Sequence, residues 1–280
     1  MIEPALADDA FLADVAAARR EAGLHVWWLG QSGFLLMHDG QCVLLDPYLS
    51  DSLTKKYENT EKLHIRMTRR VIEPRRLDFV SVVTSSHSHT DHLDPETLKP
   101  LVEANRDLKL IVPEANRHLV AERLSLPVAQ PIGLDDGLSA TVDGFEFTGV
   151  PAAHETVDRD ADGHCKFLGY VVQTGKWTVY HSGDTVLYDG MVDRLFEFPI
   201  DLALLPINGR SSERRVAGNL SGLEAARLAR DIDARLVIPC HYEMFEFNTA
   251  SPESFVCECQ RLEQPFRVLK AGERLTLPPP

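Results

Sequence analysis

The chain has 280 residues, of which 44% are hydrophobic and 25% charged, and its 42 acidic against 29 basic side chains give a formal net charge of −13. This composition excludes a disordered chain, and the charge disfavours nucleic acid or an anionic membrane as the main partner, because both attract clustered positive charge. The sequence contains no run of about 18 uncharged apolar residues, so no membrane span is expected. The acidic N-terminus does not resemble a secretory signal. Five scattered cysteines favour a reducing, cytoplasmic setting over a disulfide framework.

Hydrophobic runs separated by turn residues predict the elements in chain order. Strands are expected at 24–29, 33–37, 42–46, 78–84, 109–112, 138–142, 145–149, 169–173, 177–181, 201–205 and 235–239. Helices are expected at 95–105, 114–124, 188–197, 221–231 and 252–262.

Local signals add detail to this pattern. Asp143-Gly144 predicts a two-residue hairpin turn, Ser221 with Glu224 predicts a capping box, and Pro252 is expected at the first position of the last helix. Residues 277–280 are expected to be irregular. The strand–helix–strand rhythm over 201–239 indicates mixed sheets with helices outside, and we expect one domain over residues 1–280 because no linker or repeat divides the chain.

The strongest chemical signal directly follows the strand expected at 78–84. Three imidazoles and a carboxylate lie within six residues, in the order His87, His89, Asp91 and His92. Imidazole nitrogen and carboxylate oxygen are ligands of divalent metals such as Zn, Mn and Fe. His87 and His89 point the same way from an extended segment and can share one ion, whereas Asp91 and His92 follow a turn and can face a second. A merely polar loop is the weaker interpretation.

Further donors must come from elsewhere in the chain, and three are placed alike. His154, Asp184 and His241 each follow a predicted strand, ending at 149, 181 and 239 respectively. Functional loops of α/β sheets gather at the carboxyl ends of strands. A lone histidine in such a place is more often structural, but the repeated placement favours one shared metal site.

These seven residues, in this order, resemble the motif of the metallo-β-lactamase-fold hydrolase superfamily, and the resemblance covers almost the whole chain. Shorter strings at 27–30 (WWLG), 180–184 (YHSGD) and 239–241 (PCH) resemble its ascorbate-6-phosphate lactonase-like branch. The resemblance implies an α/β fold of the four-layer αββα kind, a metallo-β-lactamase fold with two mixed sheets face to face and helices outside.

The resemblance also implies two divalent metal ions per chain, Mn or Zn, with Fe as a further option. One ion would be bound by His87, His89 and His154, the other by Asp91, His92 and His241, and Asp184 would bridge both. A water between two such ions is deprotonated near neutral pH and supplies a hydroxide nucleophile. Asp91 is the expected catalytic residue, because it lies beside the site and can orient that hydroxide and accept its proton. Residues 31–33 are interpreted as a turn, not as a serine nucleophile.

Candidate substrate contacts rest on charge and placement. Residues 55–76, the basic segment, hold eight basic and three acidic side chains, so the segment carries 8 − 3 = +5 and the remainder −18. A solvated helical face is one interpretation, and recruitment of a small anionic substrate such as a sugar phosphate, with Arg70 taking part, is the other. The further candidates are Asn208, Arg210 and His181, and a structural role is the alternative interpretation of His181. Arg214 and Arg215 could add to this set.

Three functions are compatible with this sequence. The first is a binuclear metal-dependent hydrolase acting on a small ester, lactone or phosphorylated substrate. The second is a phosphodiesterase or nuclease on the same fold, for which the acidic net charge makes polymeric RNA the weaker substrate. The third is a non-catalytic metal-binding module. The sequence leaves open the natural substrate and whether the chain forms a homo-oligomer.

Overall fold

The computed structural model describes residues 1–211, 214 and 217–278. Its strands are, in chain order, β1 (Leu24–Gly30), β2 (Gly33–His38), β3 (Gln41–Leu45), β4 (Val82–Thr84), β5 (Lys109–Pro113), β6 (Ile132–Leu134), β7 (Ser139–Val142), β8 (Phe145–Pro151), β9 (Leu168–Thr174), β10 (Trp177–His181), β11 (Leu202–Pro206), β12 (Val237–Cys240) and β13 (Arg274–Leu277). Its α-helices are α1 (Asp8–Ala18), α2 (Ser52–Tyr57), α3 (Pro95–Ala104), α4 (Arg117–Leu124), α5 (Met191–Phe196), α6 (Gly222–Asp231) and α7 (Glu253–Leu262).

The strands form two mixed sheets, as predicted. The first sheet has the order β13-β1-β2-β3-β4-β5-β6, antiparallel from β13 to β3 and parallel from β3 to β6. The second has the order β12-β11-β10-β9-β8-β7, parallel from β12 to β10 and antiparallel from β10 to β7. Each sheet therefore contains a parallel part, whose strands end at the same edge.

One hydrophobic cluster joins the two sheets and their helices. It contains buried side chains of the first sheet, such as Trp27 and Leu44, together with Tyr170 and Leu204 of the second. Helix α1 packs on the first sheet through Phe11, whose ring lies edge-on to Trp27 with centroids 6.3 Å apart. Helix α4 lies against β5 of the first sheet and contacts α3, whereas α6 and α7 contact each other and α6 lies against β11 and β12. Helices thus flank two packed sheets, which is the predicted αββα arrangement.

The local turn and cap signals are confirmed in two of three cases. Asp143 and Gly144 have φ values of 48° and 81° and connect β7 to β8, as a hairpin of this kind requires. The Ser221 side chain accepts the Glu224 backbone N–H and the Glu224 side chain accepts the Ser221 N–H, which completes the capping box of α6. Pro252, however, is the N-cap of α7, which begins at Glu253.

Other expectations were wrong at their edges or missed an element. The strand expected at 78–84 pairs only from Val82, because the Val80 N–H is bound instead by the Asn105 side chain. The helix expected at 114–124 starts with a 3₁₀ turn over Glu114–Asn116. Leu277 lies in β13, paired with Leu24, so the prediction of an irregular tail was wrong at that residue. Residues 279 and 280 lie outside the residues that the structure describes. Elements α1, α2, β6 and β13 were not predicted.

Candidate metal centre

Four strand ends meet at one edge of the two sheets and carry the seven predicted donors. The segment after β4, in the first sheet, supplies His87, His89, Asp91 and His92. The second sheet supplies the other three, from the loops that follow β8, β10 and β12. These are His154, Asp184 and His241.

The donors fall into two groups on either side of a shared carboxylate. The first donor group is His87, His89 and His154, and the second donor group is Asp91, His92 and His241; within each, one potential ligand atom per residue lies within 4.8 Å of the others. Asp184 lies between them. Its Oδ1 is 3.2 Å from His92 Nε2, and its Oδ2 is 3.4 Å from His241 Nε2 and 3.9 Å from His154 Nε2. Ligands bound about 2.1 Å from one ion lie about 3 Å apart, so these spacings suit shared ions.

The chemistry of these side chains fits divalent metal ions. His87 Nε2, His92 Nε2 and Asp184 Oδ1 are buried and make no hydrogen bond among the described residues, the last two facing each other as an ion pair at 3.2 Å. Leaving several polar atoms buried without partners is costly, because each loses its hydration. Two ions, one at each donor group, would satisfy these atoms, and the set contains no soft sulfur ligand, as expected for Zn, Mn or Fe.

Polar side chains behind the donors fix the orientation of the imidazole rings. Asp46 is fully buried, and its Oδ2 lies 2.7 Å from His92 Nδ1, which leaves Nε2 facing Asp184. Ser86 donates its backbone N–H to Asp46 Oδ1 at 2.9 Å, and its hydroxyl lies 3.0 Å from His87 Nδ1. His154 Nδ1 lies 3.1 Å from the Gly218 carbonyl. Such contacts select the ring nitrogen that is presented to a metal.

Gly183 allows the loop that carries Asp184 to pack closely against Ser86. Its φ is 59°, in the left-handed region, and a Cβ atom there would lie 2.6 Å from the Ser86 Cβ. Any larger residue would therefore push Asp184 away from Ser86 and from the histidines that Ser86 supports.

The electrostatics of the metal-free site differ between the two donor groups. Burial lowers the pKa of His87 and of His89, so both rings are neutral at pH 7. Burial also opposes charge on His92 and His241, but the Asp184 and Asp91 carboxylates outweigh it, raising the pKa of His92 well above its usual range and that of His241 to about 9. The protonated rings in turn hold the pKa values of Asp91 and Asp184 well below their usual range, against the effect of burial. Metal entry at the second donor group must therefore displace protons.

A cavity of about 350 Å³ opens onto the donors. Asp91, Asp184 and His241 lie at its floor, and one wall is an aromatic cluster. In this aromatic wall the Tyr57 ring stacks on His64 at 4.2 Å, and His64 meets Phe247 edge-on at 4.4 Å. The remaining polar lining includes Lys56, Arg123, Asn208, Asn219 and Asn248.

Of the four predicted substrate-binding residues, one lies at the cavity among the residues that the structure describes. Asn208 lines the cavity, where its side chain donates to Asn248 and accepts from Asn219, each at 3.0 Å. Arg210 is half exposed and pairs with Glu224. Arg70 donates to Glu73 and to the Leu49 carbonyl, and His181 Nε2 lies 2.9 Å from the Ser32 carbonyl.

Arg210, Arg70 and His181 are absent from the described residues that line the cavity. They therefore carry no substrate role in the proposal below. Arg214 bridges the Asn208 carbonyl and the Asn248 side chain at 2.7 and 2.9 Å, whereas Arg215 lies outside the described residues.

Three basic side chains of the described cavity lining were not singled out from the sequence. Lys56 and His64 belong to the basic segment, whose charge gave a signal for the segment but not for these members. Arg123 reaches the cavity from α4, donating to the Ser88 carbonyl at 2.7 Å, and an arginine on a predicted helix gives no signal that separates it from a surface residue.

Comparison with known families identifies the family to which the chain belongs. A family model described as a beta-lactamase superfamily domain matches residues 41–242. This match spans more than half of the chain, so the chain belongs to the metallo-β-lactamase superfamily, as the sequence resemblance implied.

Individual relatives agree with that family. The chain is 29% identical over 263 residues to a UPF0173 metal-dependent hydrolase of Rubrobacter xylanophilus, covering 90% of this chain and 96% of the relative. Among solved structures, it resembles a possible metal-dependent hydrolase of Veillonella parvula with TM-score 0.72 and 18% identity, covering 91% and 100% of the two chains. It also resembles an isothiocyanate hydrolase from Delia radicum gut bacteria with TM-score 0.72 and 17% identity, covering 90% and 99%. These structural likenesses establish the fold.

Within the part of the chain that the structure describes, no helix combines the length and apolar character needed to cross a bilayer.

Proposed function

We propose that this protein is a two-metal hydrolase that cleaves an ester, lactone or phosphoester bond in a small, anionic substrate. One observation carries the proposal: six imidazole and carboxylate donors form two groups, with the buried Asp184 carboxylate between them. Relatives named metal-dependent hydrolases support the metal requirement and the reaction type.

The residues of the site have separable roles in this proposal. The first donor group would hold one ion, the second donor group the other, and Asp184 would contact both. When bound, two such ions act as Lewis acids and lower the pKa of a coordinated water. Asp91 is the more exposed of the two carboxylates at the cavity floor, with a side chain 16% exposed against 5% for Asp184, so it is placed to orient a water and to accept or pass on a proton.

The cavity supports a small substrate with an anionic part. Its volume of about 350 Å³ is at the small end of ligand pockets and leaves little space for a polymer. Lys56 lines it, with its ammonium group 5.3 Å from the Tyr57 ring centre. The aromatic wall would contact an apolar portion of the substrate while three asparagine side chains offer donors and acceptors. A lactonase-like reaction, with manganese as the metal, is the form of this proposal that the sequence strings at 27–30 and 180–184 favour.

The test is metal analysis together with turnover. Apo-protein reconstituted with Mn²⁺ or Zn²⁺ should bind two ions per chain at saturation, and saturation at one ion would overturn the roles of Asp91, His92 and His241. Activity on lactones and aryl esters would support the proposed reaction, and activity restricted to bis-phosphoesters would favour the phosphodiesterase alternative. Two bound ions without turnover of any of these would favour a metal-binding module.

Lys56 offers a test of the anionic substrate. Lys56→Met keeps the length of the side chain but removes the charge, and we expect KM for an anionic substrate to rise about tenfold, equivalent to roughly 1.4 kcal/mol. KM for a neutral analogue should change little. Arg70→Ala is the matched control, because Arg70 is not among the described residues of the cavity lining. Equal effects of the two variants would contradict the role of Lys56.

A further inference from the structure

The turn between β1 and β2 holds a buried glutamine against the metal centre. Gln31 is fully buried, and its φ of 51° is in the left-handed region, which non-glycine residues rarely adopt. Its carbonyl accepts the indole N–H of Trp28 and the backbone N–H of His241, both at 2.9 Å. The backbone of Gln31 is therefore fixed to the residue that carries one of the second-group donors.

The side-chain amide of Gln31 points into the second donor group. Its Nε2 donates to Asp91 Oδ2 at 2.8 Å and lies 3.0 Å from His241 Nε2. His241 Nε2 accepts no hydrogen bond when its ring is protonated or binds an ion, so the bond to Asp91 is the one compatible with a loaded site.

We propose that Gln31 is a positioning residue that orients Asp91 for the second ion, an inference that rests on the two-metal function proposed above. With one carboxylate oxygen held by the amide, Asp91 loses rotational freedom about its terminal torsion, and the carboxylate faces His92 and His241 at 3.7 and 3.6 Å. Side chains that hold a metal ligand in this way contribute about 10–100-fold to metal affinity or activity. The first donor group has no contact with Gln31 among the described bonds.

A purely structural role does not account for this glutamine. Its Oε1 is buried and has no partner among the described residues, which is an unfavourable way to fill space. An apolar side chain of similar volume would fill the turn without burying an amide. The amide is explained by its N–H group, which donates to Asp91.

The experiment compares metal affinity, which needs no substrate. Gln31→Met conserves length and volume but removes the donor, so the variant should fold and keep its first ion. We expect the dissociation constant of the second Zn²⁺, measured by chelator competition, to rise 10–100-fold. The visible spectrum of the second Co²⁺ equivalent should also change, because the ligand arrangement around that ion changes. Ser32→Ala, in the same turn, is the control and should retain both affinities.

The outcomes separate this inference from the function on which it rests. If the wild-type chain binds only one ion, the two-metal function fails and the inference fails with it. If the wild type binds two ions and Gln31→Met binds both with unchanged affinity and an unchanged Co²⁺ spectrum, only the inference is overturned. Should Gln31→Met not fold in the apo form, Gln31→Leu repeats the comparison. If neither variant folds without metal, Gln31 is a structural residue and the inference is also overturned.

Discussion

At the scale of single residues, the candidate metal centre includes residues in the left-handed backbone conformation, which non-glycine residues seldom adopt. Gln31, Asp46 and His241 have φ values of 51°, 40° and 61°. Non-glycine residues held in this region cost of order 1–3 kcal/mol each, and they persist where the surroundings determine them. Two of the three support a donor and the third is one, so the backbone conformation at these positions helps to set the direction of donor side chains.

The role of Asp184 can be tested by removing its charge. Asp184→Asn keeps the shape of the side chain but no longer offsets the repulsion between two ions, which is large at a few ångströms in a partly buried site. We expect loss of at least one ion, measured by elemental analysis, and a fall in turnover of about 100-fold or more. The apo fold should survive, as judged by circular dichroism. Two tightly bound ions with near-normal turnover would contradict the shared position of Asp184.

The pKa of His241 predicts opposite pH trends for the metal-free and metal-loaded protein. Its value in the folded apo chain is raised to about 9, above the usual value near 6.5, by Asp184 and Asp91 against the opposing effect of burial. This contribution to stability is complete below about pH 6.5 and is lost as the pH rises through about 9. The melting temperature of the apo protein should therefore fall over that window, while affinity for the second ion rises because fewer protons must leave.

A variant shows whether this trend comes from the donor site. His241→Gln removes the titrating ring, so the fall in apo melting temperature between pH 6.5 and 9 should become shallower. Calorimetric titration in two buffers of different ionisation enthalpy should show proton release on binding the second ion. An apo protein whose melting temperature rises over this window would contradict the ion pairing described for His241.

Residue identity and placement after strands predicted which donors come together, but they did not predict the support that Gln31 gives to Asp91. Histidines and aspartates after strands are rare enough to be noticed, and His154, Asp184 and His241 do lie beside the cluster after β4. Gln31, by contrast, belongs to a short turn and was interpreted only as a turn. Its contact with Asp91 joins positions 60 residues apart, and no local pattern encodes such a contact.

At the scale of elements, the predictable parts of the fold are those with a local signal. The capping box of α6 and the hairpin between β7 and β8 are written within four residues each, and both are confirmed. Strand β13 was missed because its four residues have no distinctive run of their own and become a strand by pairing with β1, some 250 residues earlier. Helix α1 was missed although its buried residues Phe11, Val15 and Ala18 follow helical spacing, because apolar residues such as Leu12 and Ala16 on its other faces hide that period in the sequence.

The capping box gives a test at this scale. Ser221 caps α6 and also pairs by an isolated bridge with Asn208, which lines the cavity. Ser221→Ala leaves the first-turn N–H groups of α6 without this acceptor, and we expect the free energy of unfolding, measured in urea, to fall by about 1 kcal/mol. Ser221→Thr keeps the hydroxyl and should lose much less. Equal stabilities of the alanine variant and the wild type would mean that water replaces the cap.

At the scale of the whole molecule, the distribution of charge does not favour simple electrostatic attraction of an anionic substrate to the basic segment. The basic segment carries +5 in a chain of net charge −13, but most of its arginines pair with acids. Arg66 pairs with Asp51 and Arg69 with Glu3, each at 2.7 Å, and Arg76 pairs with Asp9. A paired arginine attracts a distant anion weakly, because the field of its partner cancels most of its own. Selection of an anionic substrate is therefore expected inside the cavity, at Lys56.

The metal centre also joins the two sheets, so metal should stabilise the entire molecule. Four donors follow β4 of the first sheet and three follow strands of the second, so ions bound between them would hold the two sheets together at that edge. Because the unfolded chain cannot assemble these donors, each site filled at 1,000 times its dissociation constant adds about 4 kcal/mol to the free energy of unfolding.

For a domain of 150–250 residues, each kcal/mol raises the melting temperature by about 2–4 °C, and a chain of this size should lie near the lower value. Two filled sites therefore predict a difference of roughly 15 °C between metal-loaded and chelator-treated protein, measured by scanning calorimetry at pH 7.5. Asp184→Asn should lose at least half of that difference, whereas Arg70→Ala should keep it, since Arg70 lies away from the donors. If chelation left the melting temperature unchanged, the seven residues would not hold ions between the sheets, and their proximity would need another explanation.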